Sequence, residues 1–206
     1  SGGRQLPCWQ KIGWTAQRLI AHQAAQGVIS GVDVALKGGE VVEVGETVRL
    51  RVLDTPGHTM SHICLLSNTQ PPVLFSGDTL FNAGAGNCHS GGHPEALFTT
   101  FSMVLSKLPD DTQVYPGHDY IVNNLQFTLD REPSNKAASS LLEQVIKQDT
   151  NNPAVTTIGL EKQINCFLRL NNPEIISHLK NTMPELPDKP SEKDVFIALR
   201  TLRNNW

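Results

Sequence analysis

The run TVRLRVLDTPGHTMSHICLL, residues 47–66, decides how the chain is read. Its first part sets Val48, Leu50 and Val52 against Arg49 and Arg51, the period-two pattern of a strand with one buried and one wet face. The pattern breaks at Pro56-Gly57-His58, and a second apolar run, His62–Leu66, follows. Glycine lets the backbone turn tightly at a strand end, which places His58 on a loop at a sheet edge.

Two further segments repeat the arrangement. SGDTLF at 76–81 follows the apolar run Val73–Ser76, and YPGHDY at 115–120 grows out of Val114-Tyr115. His58, Asp78 and His118 thus stand 20 and then 40 residues apart, each beside a glycine and behind a strand-forming run. A lone loop histidine is more often solvated than metal-bound, but three such segments in this order point to a metallohydrolase. Imidazole and carboxylate groups suit zinc, iron or manganese, and no thiolate occupies a matching position. His22, His93 and His178 have no such context and read as ordinary surface or loop residues, and Asp54 reads as structural.

At 206 residues the chain can bury a substantial core in one large or two small domains. A net charge of −3 gives no reason to expect nucleic acid or an anionic membrane as partner. Apolar runs such as Ile63–Leu66 fall far short of the roughly 18 residues that cross a bilayer. Cys8, Cys64, Cys88 and Cys166 form no CxxC pair, which argues against a zinc knuckle or disulfide framework and suits a reducing cytoplasm. Cys64 reads as a small core residue. No GxSxG elbow is present, which removes the common serine-hydrolase alternative. Nothing in the sequence sets an oligomeric state.

Asn68–Pro72 reads as a turn between paired strands. Residues 94–108 carry Leu97, Phe101, Val104, Leu105 and Leu108 at helical spacing, with Pro94 near the start. Residues 135–147 place Ala138, Leu141, Leu142, Val145 and Ile146 on one helical face, and Asp149–Pro153 reads as a break. Residues 191–205 form another helix with Ser191 as N-cap and Asp194 in the first turn. No comparable strand signal follows residue 125. The expected plan is an α/β (α+β layered) metal domain over 1–125 and a helical domain over 126–206, without internal repeats.

Pro56-Gly57-His58-Thr59-Met60-Ser61-His62, Gly77-Asp78-Thr79-Leu80-Phe81, and Pro116-Gly117-His118-Asp119-Tyr120 with Asn124 resemble motifs of the metallo-β-lactamase superfamily. The fuller match is to its glyoxalase II branch, the hydroxyacylglutathione hydrolases, from about residue 20 onward. The resemblance implies an αββα sandwich with a C-terminal helical extension and a centre of two divalent ions, zinc first among the candidates. His58 would bind the first ion, His118 the second, and Asp78 would bridge both and serve the catalytic step. His62 would support the ligands rather than coordinate. The branch also carries a THxHxDH signature that is absent here. In the branch a small residue and two glycines follow it, and the chain opens Ser1-Gly2-Gly3, so the sandwich is expected to be N-terminally incomplete. With His58, Asp78 and His118 alone, each ion would have about two protein ligands, so these 206 residues by themselves are expected to be inactive or slow.

The resemblance further implies attack of metal-bound hydroxide on the carbonyl of an acylglutathione thioester. Arg200 and Arg203, spaced i, i+3 on the closing helix opposite Val195, Leu199 and Leu202, match paired basic residues that hold a glutathione carboxylate in the branch. A solvated basic face is the plainer reading of the pair. Tyr120 is retained from the branch, whereas Asn87 replaces a basic residue and His89 an aromatic hydroxyl, so the acyl group or thiol carrier can differ from D-lactoylglutathione. Two alternatives stay open: a mononuclear iron persulfide dioxygenase using His58 and Asp78, or an inactive fragment of the hydrolase.

Overall fold

A computed structural model describes residues 18–148 and 153–206. Ser1-Gly2-Gly3, Cys8 and residues 149–152 of the break lie outside the described residues. The chain divides into two compact units, Ser1–Leu36 and Lys37–Trp206. In the first, β1 (Ile20–His22) pairs in parallel with β2 (Val34–Leu36).

The second unit is built on a six-stranded sheet in the order β10-β9-β6-β5-β4-β3. Its strands are β3 (Val41–Val44), β4 (Val48–Asp54), β5 (Ile63–Ser67), β6 (Val73–Gly77), β9 (Gln113–Pro116) and β10 (Thr156–Thr157). A small hairpin, β7 (Leu80–Phe81) with β8 (Gly84–Ala85), follows β6. All neighbours in the large sheet are antiparallel except β6 and β9, which run parallel and are joined through a helical crossover. No second large sheet occurs among the described residues.

Among the described residues six α-helices complete the unit: α1 (Pro94–Met103), α2 (Ile121–Arg131), α3 (Lys136–Val145), α4 (Ile158–Ile164), α5 (Pro173–Thr182) and α6 (Glu192–Asn204). Helix α1 starts with Pro94 in its first turn but ends five residues before the 108 expected from periodicity. Pro109 holds Leu108 extended (φ −67°, ψ 152°), so the chain tightens into a 3₁₀ turn over Leu105–Lys107. In α3, Ala138 and Val145 are buried while Ile146 is 60% exposed, so Ile146 does not share the buried face expected for it. Helix α6 opens with the predicted Ser191 cap, and Asp194 returns the bond to form a capping box. Strand β10 corrects the expectation of no strand beyond 125: two threonines extend the sheet at its β9 edge.

One apolar cluster joins sheet and helices. Leu53, Cys64, Leu74 and Val114 pack with Leu97 and Phe101 of α1, Phe167, and Val195, Phe196 and Leu199 of α6. The core is therefore continuous across residue 125. Phe196 sits at its centre, edge-on to Phe98, Phe101 and Phe167 with ring centroids 5.2–5.7 Å apart. Phe196→Ala is expected to cost about 3–5 kcal/mol, read as a lowered urea midpoint.

Candidate active site

Strand direction brings the three motif residues together. β4 is antiparallel to β5 and β5 to β6, so β4 and β6 point the same way, and β9 is parallel to β6. The C-terminal ends of all three therefore lie on one sheet edge, where His58, Asp78 and His118 follow them. His58 Nε2 lies 3.6 Å from Asp78 Oδ2, and His118 Nε2 lies 3.6 Å from Asp78 Oδ1. One carboxylate thus faces an imidazole with each of its oxygens.

The neighbours of each group define its state. His58 Nδ1 lies 2.7 Å from the Asn87 carbonyl, which can only accept, so Nδ1 carries the proton and a neutral ring keeps its lone pair on Nε2. That lone pair faces another acceptor, an Asp78 oxygen, across a gap that a cation would satisfy. The donor chemistry fits a divalent ion between each imidazole and its carboxylate oxygen. Among the described residues, however, no three His, Cys, Asp or Glu side chains converge on one point, so each half offers two protein donors.

His62 lies behind this trio. Its Nε2 accepts the Asp78 backbone N–H at 3.2 Å, and its Nδ1 lies 2.8 Å from Thr79 Oγ1 and 3.0 Å from Thr55 Oγ1. Burial, with His58 adding to it and Asp78 opposing, holds its pKa down at about 4. The ring is neutral at neutral pH, as acceptance from an amide N–H requires.

Glycines make room for these approaches. At Gly57, φ is +148° and a Cβ would lie 2.5 Å from Leu97 Cα, so the His58 loop packs directly onto α1. Gly57→Ala is expected to cost about 2 kcal/mol or more through clash and backbone strain, visible as a lowered urea midpoint. At Gly117 a Cβ would lie 2.7 Å from Asp78 Oδ1.

Beside the trio is a cleft of about 190 Å³ lined by Phe81, Ala85, Asn87, His89, Tyr120, Asn124, Arg200, Arg203 and Asn204. It gathers all five residues singled out for substrate, from loops and helices up to 116 residues apart (87 to 203). Tyr120 stacks on His118 with centroids 5.4 Å apart, so cleft and trio adjoin. A larger cleft of about 470 Å³, lined by Phe101, Lys107, Arg169 and Asn171 among others, contains none of the motif residues.

The arginine pair departs from a simple solvated face. Arg200 is only 4% exposed because α6 packs on two sides, with Leu199 toward the core and Arg200 toward the 84–87 loop. Its Nη1 donates to the carbonyls of Ala85 (2.8 Å) and Gly86 (3.0 Å), its Nη2 to Asn204 Oδ1, and its Nε finds no partner. Burial and the nearby Arg203 charge lower its pKa to about 10. Arg203 donates to Asn124 Oδ1 at 3.3 Å and lies 5.6 Å from the Phe127 and Trp206 ring centroids. Among the residues of no sequence context, His93 occupies the N-cap position of α1 without a side-chain bond, and His178 lies on α5.

Sequence reasoning missed Phe81 and Asn204 as cleft residues and Glu161 behind the cleft. Phe81 closes the GDTLF motif and could have been found there. Asn204 and Glu161 carry no motif signal.

Comparison with known proteins gives the class first. The family profile described as metallo-beta-lactamase superfamily matches residues 7–118, and that described as hydroxyacylglutathione hydrolase C-terminus matches residues 119–206. The chain is 58% identical over 195 residues to a hydroxyacylglutathione hydrolase of Polaromonas sp. and 56% identical to one of Nitrosococcus oceani. Each match covers 95% of this chain and 74% of the relative. The crystal structure of ETHE1 from Myxococcus xanthus is similar with a TM-score of 0.52 and 25% identity, covering 94% of this chain and 79% of that one. BLEG-1 B3 metallo-beta-lactamase shares the fold at a TM-score of 0.51 and 22% identity, covering 73% of this chain and 65% of that one. The chain belongs to the hydroxyacylglutathione hydrolase branch of the metallo-β-lactamase superfamily. Membership implies binding of divalent metal. No helix among the described residues is long and apolar enough to cross a membrane.

Proposed function

We propose that this chain is a glyoxalase II-like thioesterase that hydrolyses an acylglutathione thioester with two divalent ions, zinc first among them, in the cytoplasm. The observation that carries the substrate reading is Arg200. It is a buried guanidinium that no carboxylate offsets among its bonds, with a free Nε, on the wall of a cleft adjoining the His58–Asp78–His118 trio. Burying an uncompensated charge is costly, and a carboxylate-bearing ligand would relieve that cost. Glutathione presents carboxylates remote from its thioester.

His58, His118 and both oxygens of Asp78 are the residues that would hold the ions. Ions bound there would bring water toward a neutral-pH pKa and polarise the thioester carbonyl. The Asn87 carbonyl orients the His58 ring, and His62 orients the Asp78 backbone. Arg200 and Arg203 would grip the tripeptide, with Asn87, His89 and Tyr120 forming the polar wall. A thiolate leaves readily, so no protein acid is needed at sulfur. Residues 126–206 would bring Arg200 and Arg203 to the substrate cleft through α6, and residues 1–125 the metal side together with the Asn87, His89 and Tyr120 wall. The Asn87 and His89 wall favours an acyl group or carrier other than that of D-lactoylglutathione.

The test is an assay of full-length, metal-loaded protein against a panel of glutathione thioesters. Hydrolysis of at least one is expected, and no turnover of any would overturn the reading. His62→Ala is expected to weaken metal binding roughly 10- to 100-fold while the fold persists, because it removes an orienting partner rather than a ligand. Competition with a metal-chelating dye would check this.

A further inference from the structure

Five consecutive residues, 82–86, link the Asp78 side of the site to the cleft, and side chains hold each of their backbones. Asn124 Nδ2 donates to the Asn82 carbonyl at 3.0 Å, and Asn165 Nδ2 donates to the Gly84 carbonyl at 3.1 Å. Arg200 takes the carbonyls of Ala85 and Gly86. At the centre, Ala83 adopts a left-handed φ of +57° without being glycine, and its N–H points between the two oxygens of Glu161, at 3.1 and 3.0 Å. Such a conformation persists only where its surroundings over-determine it.

Glu161 is fully buried, at 0% exposure. Its remaining bonds come from Thr156 Oγ1 at 2.7 Å and Asn165 Nδ2 at 2.8 Å, so neutral donors alone satisfy it. Asn82 Nδ2 in turn donates to Thr156 Oγ1 at 2.7 Å, which closes the network on the same loop. Burial accordingly pushes its carboxyl up to about 7. A glutamate kept buried without a cation, where an apolar residue would pack at lower cost, calls for a reason beyond core stability.

We infer that Glu161 is a positioning residue of the substrate cleft, holding the Ala83 amide so that Ala85 and Asn87 present the wall of the binding site. The inference rests on the thioesterase reading for its substrate, but not for its effect on the loop. A carboxylate is the fitting group because every neighbour donates. An isosteric amide would turn an N–H toward another donor and release the loop without emptying the core.

The test compares Glu161→Gln with the parent in the full-length, metal-loaded protein. Amide exchange at residues 83–86 should accelerate about tenfold, the loss expected when a buried donor loses its acceptor. Affinity for S-methylglutathione should fall about tenfold and KM for a thioester should rise to match, while metal content holds and kcat changes less than about threefold. A merely structural residue would behave differently: fewer molecules would be active, lowering apparent kcat at unchanged KM. Unchanged loop exchange, or unchanged KM and thioether affinity, overturns the inference. If Glu161→Gln does not fold, Thr156→Val, which removes one donor at little change in volume, should raise loop exchange about threefold, and no change there overturns it equally. If the parent neither binds S-methylglutathione nor cleaves any thioester, the thioesterase reading fails, and loop exchange alone decides on Glu161.

Discussion

Asp78→Ala is expected to abolish metal binding and hydrolysis together. Asp78 faces both imidazoles, His58 through Oδ2 and His118 through Oδ1, so its loss removes a donor from both ion positions at once. Charge stabilisation by bound metal is worth several kcal/mol, and about 4 kcal/mol is roughly a thousandfold in kcat/KM. The backbone at Asp78 is fixed independently by His62 and by the close approach of Gly86, so the fold should survive the change. Metal analysis, circular dichroism and kinetics on one preparation check this. A variant that keeps its metal and its rate would remove Asp78 from the centre.

Arg200→Ala and Arg203→Ala are expected to raise KM with metal content unchanged, but by different routes. A hydrogen bond to a charged group is worth about 1.5–3 kcal/mol, or roughly 10- to 150-fold if each arginine meets a ligand carboxylate. Arg203 is half-buried and held by one weak bond and two aromatic faces, so its removal should leave thermal stability nearly intact. Arg200 also satisfies two loop carbonyls, so its removal should lower Tm as well as affinity. Arg200→Lys keeps the charge without the fork and should recover only part of either. A double alanine variant with unaltered KM would show that the pair does not grip the substrate, whatever happens to Tm.

How far the sequence could be read follows from where each signal resides. Local signals were sound: the alternation in 48–52 became β4, the Ser191 cap became a capping box on α6, and Cys64 became a fully buried core residue. Helix α5 went unread although Asn172-Pro173-Glu174 is a start signal, with Asn172 capping the amides of Glu174 and Ile175. Helix α2 had less to offer, since no side chain caps it at Tyr120. Strand β10 was illegible because two residues make no pattern, and only pairing with β9 defines it.

By itself the sequence determined the residue types at the strand ends, His58, Asp78 and His118, because glycine turns and short-range periodicity are written in adjacent residues. Only the tertiary structure decided that these three meet on one sheet edge, which follows from the shared direction of β4, β6 and β9. It also decided the character of Arg200 and Glu161. In the linear chain one is a charge on an amphipathic helix and the other a polar residue on a short one. Burial against the 82–86 loop makes the first an uncompensated cation and the second a carboxyl held among neutral donors with its pKa pushed up, because desolvation depends on packing against a loop 75 or more residues away (86 to 161).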